Sequence, residues 1–268
     1  MEEPVIISHP NYKCLNYKDF VIIDSTYSPN FKYDLHHDGP ARISIVLQGD
    51  LTEKVSRQNE YATTSSIVYK PEGVEHCNTF GPKGARIISI IYKRTPLLAP
   101  THFDDKQDWV WFHNPIHTSQ GIQFLHALDT SIQMSAVEES IMELTSTLFK
   151  APHSISKAPP PWLKHITNCI QDEYDQSLRV KDLAKSVQVH PVYLARVFRQ
   201  HFGCSVKEYL HNVRMRKVLD ALSAGKQSIS EIAYDCGFAD QSHLNRLFKS
   251  KIRSTPKRFN KMVQTIME

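Results

Sequence analysis

The sequence predicts an α+β multidomain protein: an N-terminal β-barrel with an α-hairpin, then an all-α C-terminal domain of seven helices. Three observations predict it. Short β-branched and aromatic runs separated by turn formers occupy residues 20–93, apolar residues recur at helical spacing from Ser119 onward, and net basic charge is segregated in the C-terminal part. Residues 162–268 carry 18 Lys and Arg against 10 Asp and Glu, a net of +8, whereas residues 1–161 carry 14 against 18. A basic domain beside an acidic one favours a polyanionic partner on one side only. A chain of 268 residues is long enough for two domains.

The strand expectations are Phe20–Ile23, Arg42–Leu47, Ser66–Tyr69 and Arg86–Tyr92. Turn formers lie between them, among them Asp38-Gly39-Pro40, Gly49-Asp50, Pro71-Glu72-Gly73 and Gly81-Pro82-Lys83-Gly84. This spacing suits a small antiparallel barrel or sandwich over residues 1–118. Ile122, Leu125, Leu128 and Ile132 then share one helical stripe, and Val137, Ile141, Leu144 and Leu148 another. They make residues 119–150 an α-hairpin joined near Gln133–Ala136. Its stripes need a partner surface: the barrel, each other or a second copy of the chain. Residues 151–161, APHSISKAPPP, have no periodicity and four prolines, and read as a semi-rigid linker.

Residues 162–268 are read as helices over Trp162–Tyr174, Val180–Val187, Pro191–His201, Val206–Leu222, Ile229–Cys236, Gln241–Lys251 and Pro256–Val263. Ser205-x-x-Glu208 and Ser228-x-x-Glu231 are capping boxes, Pro191 and Pro256 suit a first helical position, and Gly203, Gly225 and Gly237 fall in turns. Asp240 is expected to cap a helix. The five cysteines are scattered without a C-x-x-C pair, which argues against a disulfide framework or a structural zinc site and fits a reducing compartment. No signal peptide or membrane-length apolar run is visible, so a cytoplasmic location without a membrane partner is expected.

The C-terminal part contains a degenerate repeat. LARVFRQHFGCSVKEYL from Leu194 aligns without gaps on LNRLFKSKIRSTPKRFN from Leu244, an offset of 50. Upstream, Asp182-Leu183-Ala184 matches Glu231-Ile232-Ala233 at an offset of 49, so the second turn is one residue longer. Each copy is a short helix, a tight turn and a second helix, the helix-turn-helix arrangement. Leu194, Val197, Phe198, Leu244, Leu247 and Phe248 face a core, with Tyr209 and Phe259 packed beside them. Val192, Ala195, Arg196 and Arg199 share the opposite side of the first second-helix, and Ser242, Asn245, Arg246 and Lys249 that of the other. Outward side chains of such a helix meet base edges in the major groove. Arg196 and Arg246 are the best candidates for bidentate contact to guanine, and Arg199 and Lys249 for phosphate contact. Arg214, Arg216 and Lys217 on the connecting helix are expected at the solvated surface.

Residues ~162–263 resemble the DNA-binding domain of the AraC/XylS family of bacterial regulators, through DLAKSVQVHPVYLARVFRQHFG and ISEIAYDCGFADQSHLNRLFKSKIRSTPKRF. The resemblance implies base contacts from Val192 and Arg196 in one recognition helix and from Gln241, Ser242, Asn245 and Arg246 in the other. The chain departs from the family pattern at Arg179, where a Ser/Thr cap is usual, and at His190, which replaces the Ser before Pro191. The resemblance implies a double-stranded DNA partner, activation through RNA polymerase, a homodimer formed by the hairpin, and control by a small-molecule effector.

The N-terminal part resembles the cupin barrel in fragments: His36-His37 with Asp38, then Pro71-x-Gly73-x-x-His76 with Asn78. The expectation is an effector pocket lined by His36 and His76, with no metal and no other cofactor. No Ser/His/Asp or Cys/His set and no Gly-rich phosphate loop is indicated, so no enzymatic activity is expected. A barrel enzyme fused to a DNA module, or a constitutive regulator with a vestigial pocket, are the other readings.

Overall fold

The computed structural model describes residues 12–55, 58–93, 109–112, 115–130, 134–149 and 160–266. They divide into two compact units, residues 1–150 with 251–268, and residues 151–250. Most of the linker reading, over 151–159, and Ile132 lie outside the described residues.

The first unit is built on an eight-stranded antiparallel sheet: β1 (Tyr12–Asn16), β2 (Phe20–Tyr27), β3 (Lys32–His37), β4 (Arg42–Val55), β5 (Gln58–Thr63), β6 (Ile67–Lys70), β7 (Glu75–Tyr92) and β8 (Val110–Phe112). The strand order is β1-β2-β7-β4-β6-β8, with β3 on β7 and β5 on β4. β7 and β4 are its longest strands because the chain runs straight through two expected turns, Gly49-Asp50 and Gly81–Gly84. These glycines mark irregularities instead. The β4–β7 register shifts beside Gly49, and Gly49 and Gly84 both take positive φ, +81° and +69°. A Cβ on Gly49 would strike the Gly84 carbonyl, so two backbones cross there at a distance only glycine allows.

Helices α1 (Pro115–Thr130) and α2 (Met134–Leu148) pack on each other as the hairpin. Their stripes find partners inside this unit. Ile122 and Leu125 of α1 and Val137, Ile141, Leu144 and Leu148 of α2 are buried, and Tyr92 Oη bonds Thr145 Oγ1 at 3.1 Å from sheet to helix. Gly121 lets α1 approach Ile67 of β6, since a Cβ there would come within 2.8 Å of its Cδ1. Met134 and Met142 of α2 stay exposed.

The second unit carries α3 (Pro161–Asp172), α4 (Val180–Ser186), α5 (Pro191–Phe202), α6 (Val206–Ala224) and α7 (Ile229–Asp235), with most of α8 (Gln241–Ile252). α9 (Pro256–Thr265) closes the described chain. Both capping boxes form as read, and α5 and α6 end on left-handed glycines, Gly203 and Gly225. Leu163, Ile166 and Ile170 of α3 pack with Leu183, Leu194, Phe198 and Leu210 into one core. Among the described residues no helix is long and apolar enough to cross a membrane.

Candidate nucleic-acid interface and ligand pocket

α4 and α5 are joined by residues 187–190 and α7 and α8 by residues 236–240, so the one-residue difference in turn length is present. Leu194, Val197, Phe198, Leu244 and Phe248 are buried, whereas Leu247 and Tyr209 are half-buried, the latter at the edge of the core. Burying that stripe forces the other side outward. Val192, Arg196 and Arg199 on α5, and Gln241, Ser242, Arg246 and Lys249 on α8, are exposed, while Asn245 is half-buried. Val192 is 70% exposed, an apolar side chain in water. Arg196 lies over the ring of Tyr193, 5.5 Å from its centroid, which orients the guanidinium before any contact. Gln241 accepts from Ser230 Oγ at 2.7 Å, so its amide NH2 is the end left for another acceptor. Asp240 caps α8 as expected, accepting from the His243 N–H at 2.6 Å.

Local chemistry is uneven between the two units. Arg179 contributes no side-chain cap to α4. His190 caps α5 through Nδ1, which accepts from the Val192 N–H at 3.3 Å, a bond only the neutral imidazole with a bare Nδ1 can make. Gln188 has φ +55° where the aligned residue of the second helix-turn-helix, Gly237, has +73°. A non-glycine residue pays ~1–2 kcal/mol for that conformation. Gln188→Gly should therefore stabilise the chain by about 1 kcal/mol, read as a rise in the denaturant midpoint at unchanged slope.

The connecting helix does more than space the units. Arg214, expected at the surface, is buried: Nε donates to the Tyr174 carbonyl at 2.7 Å and Nη2 to the Gln176 carbonyl at 2.9 Å. Its guanidinium also lies 6.0 Å from the ring of Phe238, in the turn of the second helix-turn-helix. In the loop before α4 the inward arginine satisfies the Tyr174 carbonyl and shares the Gln176 carbonyl with the Leu178 N–H, which donates to it at 3.0 Å. A Cβ on Gly237 would collide with the backbone of Asp175 in the same loop. Helix spacing alone leaves it undecided which arginine of the run turns inward. Lys217 does remain exposed, near the ring of Tyr174.

The first unit encloses a pocket of about 80 Å³, several times what one water needs. β3 and β7 pair His36 with His76, their rings 4.3 Å apart, and both line it; His37 points out. His36 Nδ1 lies 2.7 Å from the Asp34 carbonyl and His76 Nδ1 3.0 Å from the Val74 carbonyl. A carbonyl only accepts, so Nδ1 carries the proton in each ring and Nε2 is bare when the ring is neutral. Burial holds His36 below its ordinary pKa. Burial, aided by the Lys70 ammonium, pushes His76 down to about 3.

Four charged residues of this pocket were not anticipated as a set. Glu53 is fully buried, accepts from Asn78 Nδ2 at 2.9 Å and meets Lys70 Nζ at 2.5 Å. Lys70 Nζ is 3.1 Å from His76 Nε2 and 3.5 Å from Asp38, whose other oxygen is 3.1 Å from Arg42. Burial raises the Glu53 carboxyl against the pull of Lys70. Burial acts the same way on Asp38, but Lys70 and Arg42 together overcome it and bring that group to about 2. The signal in the sequence is strand alternation: Leu51 and Glu53, and likewise Val68 and Lys70, are two apart and so share a face.

Residues 183–262 match the helix-turn-helix domain family HTH_18. Relatives include the Msm operon regulatory protein of Streptococcus mutans, 30% identical over 53% of each chain. The uncharacterized HTH-type transcriptional regulator YpdC of Escherichia coli is 25% identical over 83% of this chain and 82% of its own. The lactose operon transcription activator of Staphylococcus xylosus is 24% identical over 79% and 80%. The chain thus spans about half of the first of these and about four fifths of the other two. Two consecutive helix-turn-helix units with buried Leu/Phe stripes, and similarity to transcriptional regulators across most of the length, support an AraC/XylS-type regulator.

Proposed function

We propose that the protein is a sequence-specific DNA-binding transcription regulator, acting as an activator, whose DNA occupancy is set by a small molecule held in the N-terminal pocket. The observation that carries this reading is the pair of outward recognition faces, on α5 and α8, within one unit. Val192, Arg196, Gln241, Ser242, Asn245 and Arg246 read bases, and Arg199 and Lys249 hold phosphates. The pocket-bearing unit is a cupin-like barrel that works as a cytoplasmic sensor. Hairpin 119–150, with Met134 and Met142 exposed on α2, joins two copies, and RNA polymerase is the partner of activation. The effector acts by binding one arrangement of the dimer better than another, since equal affinity would shift nothing.

Binding-site selection on single variants tests the reading. Arg246→Ala should cost about 1–3 kcal/mol and relax preference at one or two positions. Lys249→Ala should weaken all sites about equally and reduce the salt slope by about one. An unchanged consensus with Arg246→Ala would remove that residue from base reading.

Pocket chemistry supports an uncharged, hydroxyl-bearing effector. Two carboxyls, Asp38 and Glu53, face two cations, Arg42 and Lys70, and both imidazoles are held neutral, so a charged guest would leave one charge uncompensated. Glu53 Oε2 and Arg42 Nε are buried without a hydrogen-bond partner. One accepts and the other donates, and a hydroxyl can do both at once. The relative named for a lactose operon, similar over four fifths of the chain, agrees with a carbohydrate. In a thermal-unfolding screen, a neutral sugar at about 100 times its Kd should stabilise by about 2.7 kcal/mol, and matching sugar acids or phosphates should not.

A further inference from the structure

The ligand atoms of His36, Asp38 and His76 all lie within 4.8 Å of one another, and Glu53 Oε1 is 3.5 Å from His76 Nε2. Two imidazoles with two carboxylates are a donor set for a first-row divalent ion such as zinc or cobalt. The outer contacts fit as well. Both rings give their Nδ1 proton to a backbone carbonyl, the arrangement that fixes an imidazole with its Nε2 lone pair directed at a metal. Glu53 is fully buried, lines the pocket and keeps Oε2 without a hydrogen-bond partner.

Where these donors converge stands an ammonium. Lys70 Nζ is 2.5 Å from Glu53, 3.1 Å from His76 Nε2 and 3.5 Å from Asp38, so its three N–H groups face three of the four prospective ligands. A cation already compensates the two carboxylates, and a dication beside it would be repelled at contact distance in a poorly solvated site. We propose that His36, Asp38, Glu53 and His76 form a latent divalent transition-metal site that the Lys70 side chain closes, and that shortening this lysine opens it to zinc or cobalt. The inference is independent of the effector and of DNA recognition, because it concerns only which cation the four donors hold.

The test uses the full chain as wild type, Lys70→Ala and Lys70→Ala/His76→Ala, each exposed to Co2+ or Zn2+ and then gel-filtered. The wild type should retain no ion that depends on His76. Lys70→Ala should retain one per chain, with the visible absorption of low-symmetry cobalt and a raised Tm, and both should disappear in the double variant. Subtracting the double variant removes weak binding by other histidines. A wild type that holds a His76-dependent ion overturns the proposal, because the lysine would not be closing anything. So does a folded Lys70→Ala that holds none. Should Lys70→Ala not fold, Lys70→Ala/Glu53→Gln, with one buried charge fewer and three ligands left, is read by the same criteria. If that too folds only when refolded with Zn2+, the proposal stands, and if zinc does not restore it, the proposal fails.

Discussion

Gly237→Ala should destabilise the helical unit by about 2–4 kcal/mol and abolish specific DNA binding at temperatures where the parent is fully bound. Two costs add. An L-residue at φ +73° loses ~1–2 kcal/mol, and the new methyl has no room against the Asp175 backbone, which cannot yield as a side chain would. The loop carrying Asp175 is tied by Arg214, so displacing it also strains two charge-assisted hydrogen bonds. Urea unfolding of the variant checks the first figure, and titration with a selected site at two temperatures checks the second. Gln188→Ala supplies the contrast: it keeps the left-handed position non-glycine in the first helix-turn-helix and should change stability little. A Gly237→Ala variant as stable as the parent would show that the turn does not press on that loop.

Acid should destabilise the sheet unit from about pH 6.5 downward, before its most acidic pocket carboxylate, Asp38, titrates. His76 has a folded pKa near 3 against an ordinary 6.5, lowered by burial and by Lys70, so the folded state refuses a proton the unfolded chain accepts. Stability from this group is fully present above pH 6.5 and falls by about 1.4 kcal/mol for each unit below it, reaching a loss of about 3 kcal/mol at pH 4. His126 on α1, brought to about 4 by burial with a smaller effect of Arg258, works in the same direction and window. Asp38 enters only below about pH 4, as pH falls towards its folded value near 2. Tyrosine and tryptophan fluorescence followed from pH 7.5 to 4 should show the loss, and His76→Gln should flatten it. A midpoint below pH 3 in the parent would contradict the buried neutral imidazole.

What was legible in the sequence follows the strength of local signals. The C-terminal helices could be read because caps, prolines and 3.6-residue stripes coincide at each boundary, as at Ser205/Glu208 and Ser228/Glu231. The outward faces of α5 and α8 follow by geometry from the buried residues: once Leu194 and Phe198 go in, Arg196 and Arg199 must go out. Arg214 departs from its expected place at the surface because its partners are carbonyls about 40 residues away, which no periodicity records. In the sheet, Gly49 and Gly81–Gly84 read as turns in the sequence because glycine marks both a chain reversal and a bulge, and only pairing across strands distinguishes them. His36 and His76 were found by residue type. Glu53 and Lys70 were passed over because charged residues in strands default to the outer face, although each sits two positions from a buried apolar neighbour.

The staple of Arg214 and Gly237 has a consequence for promoters. If α5 and α8 are presented as one rigid body, the distance between their sequence elements is itself part of the code. Adding a single base pair between the elements would shift one of them by about 3.4 Å and rotate it by about 34° around the duplex axis. A regulator with a supple hinge would tolerate that change in helical phase. This one should discriminate against it as sharply as against a wrong base.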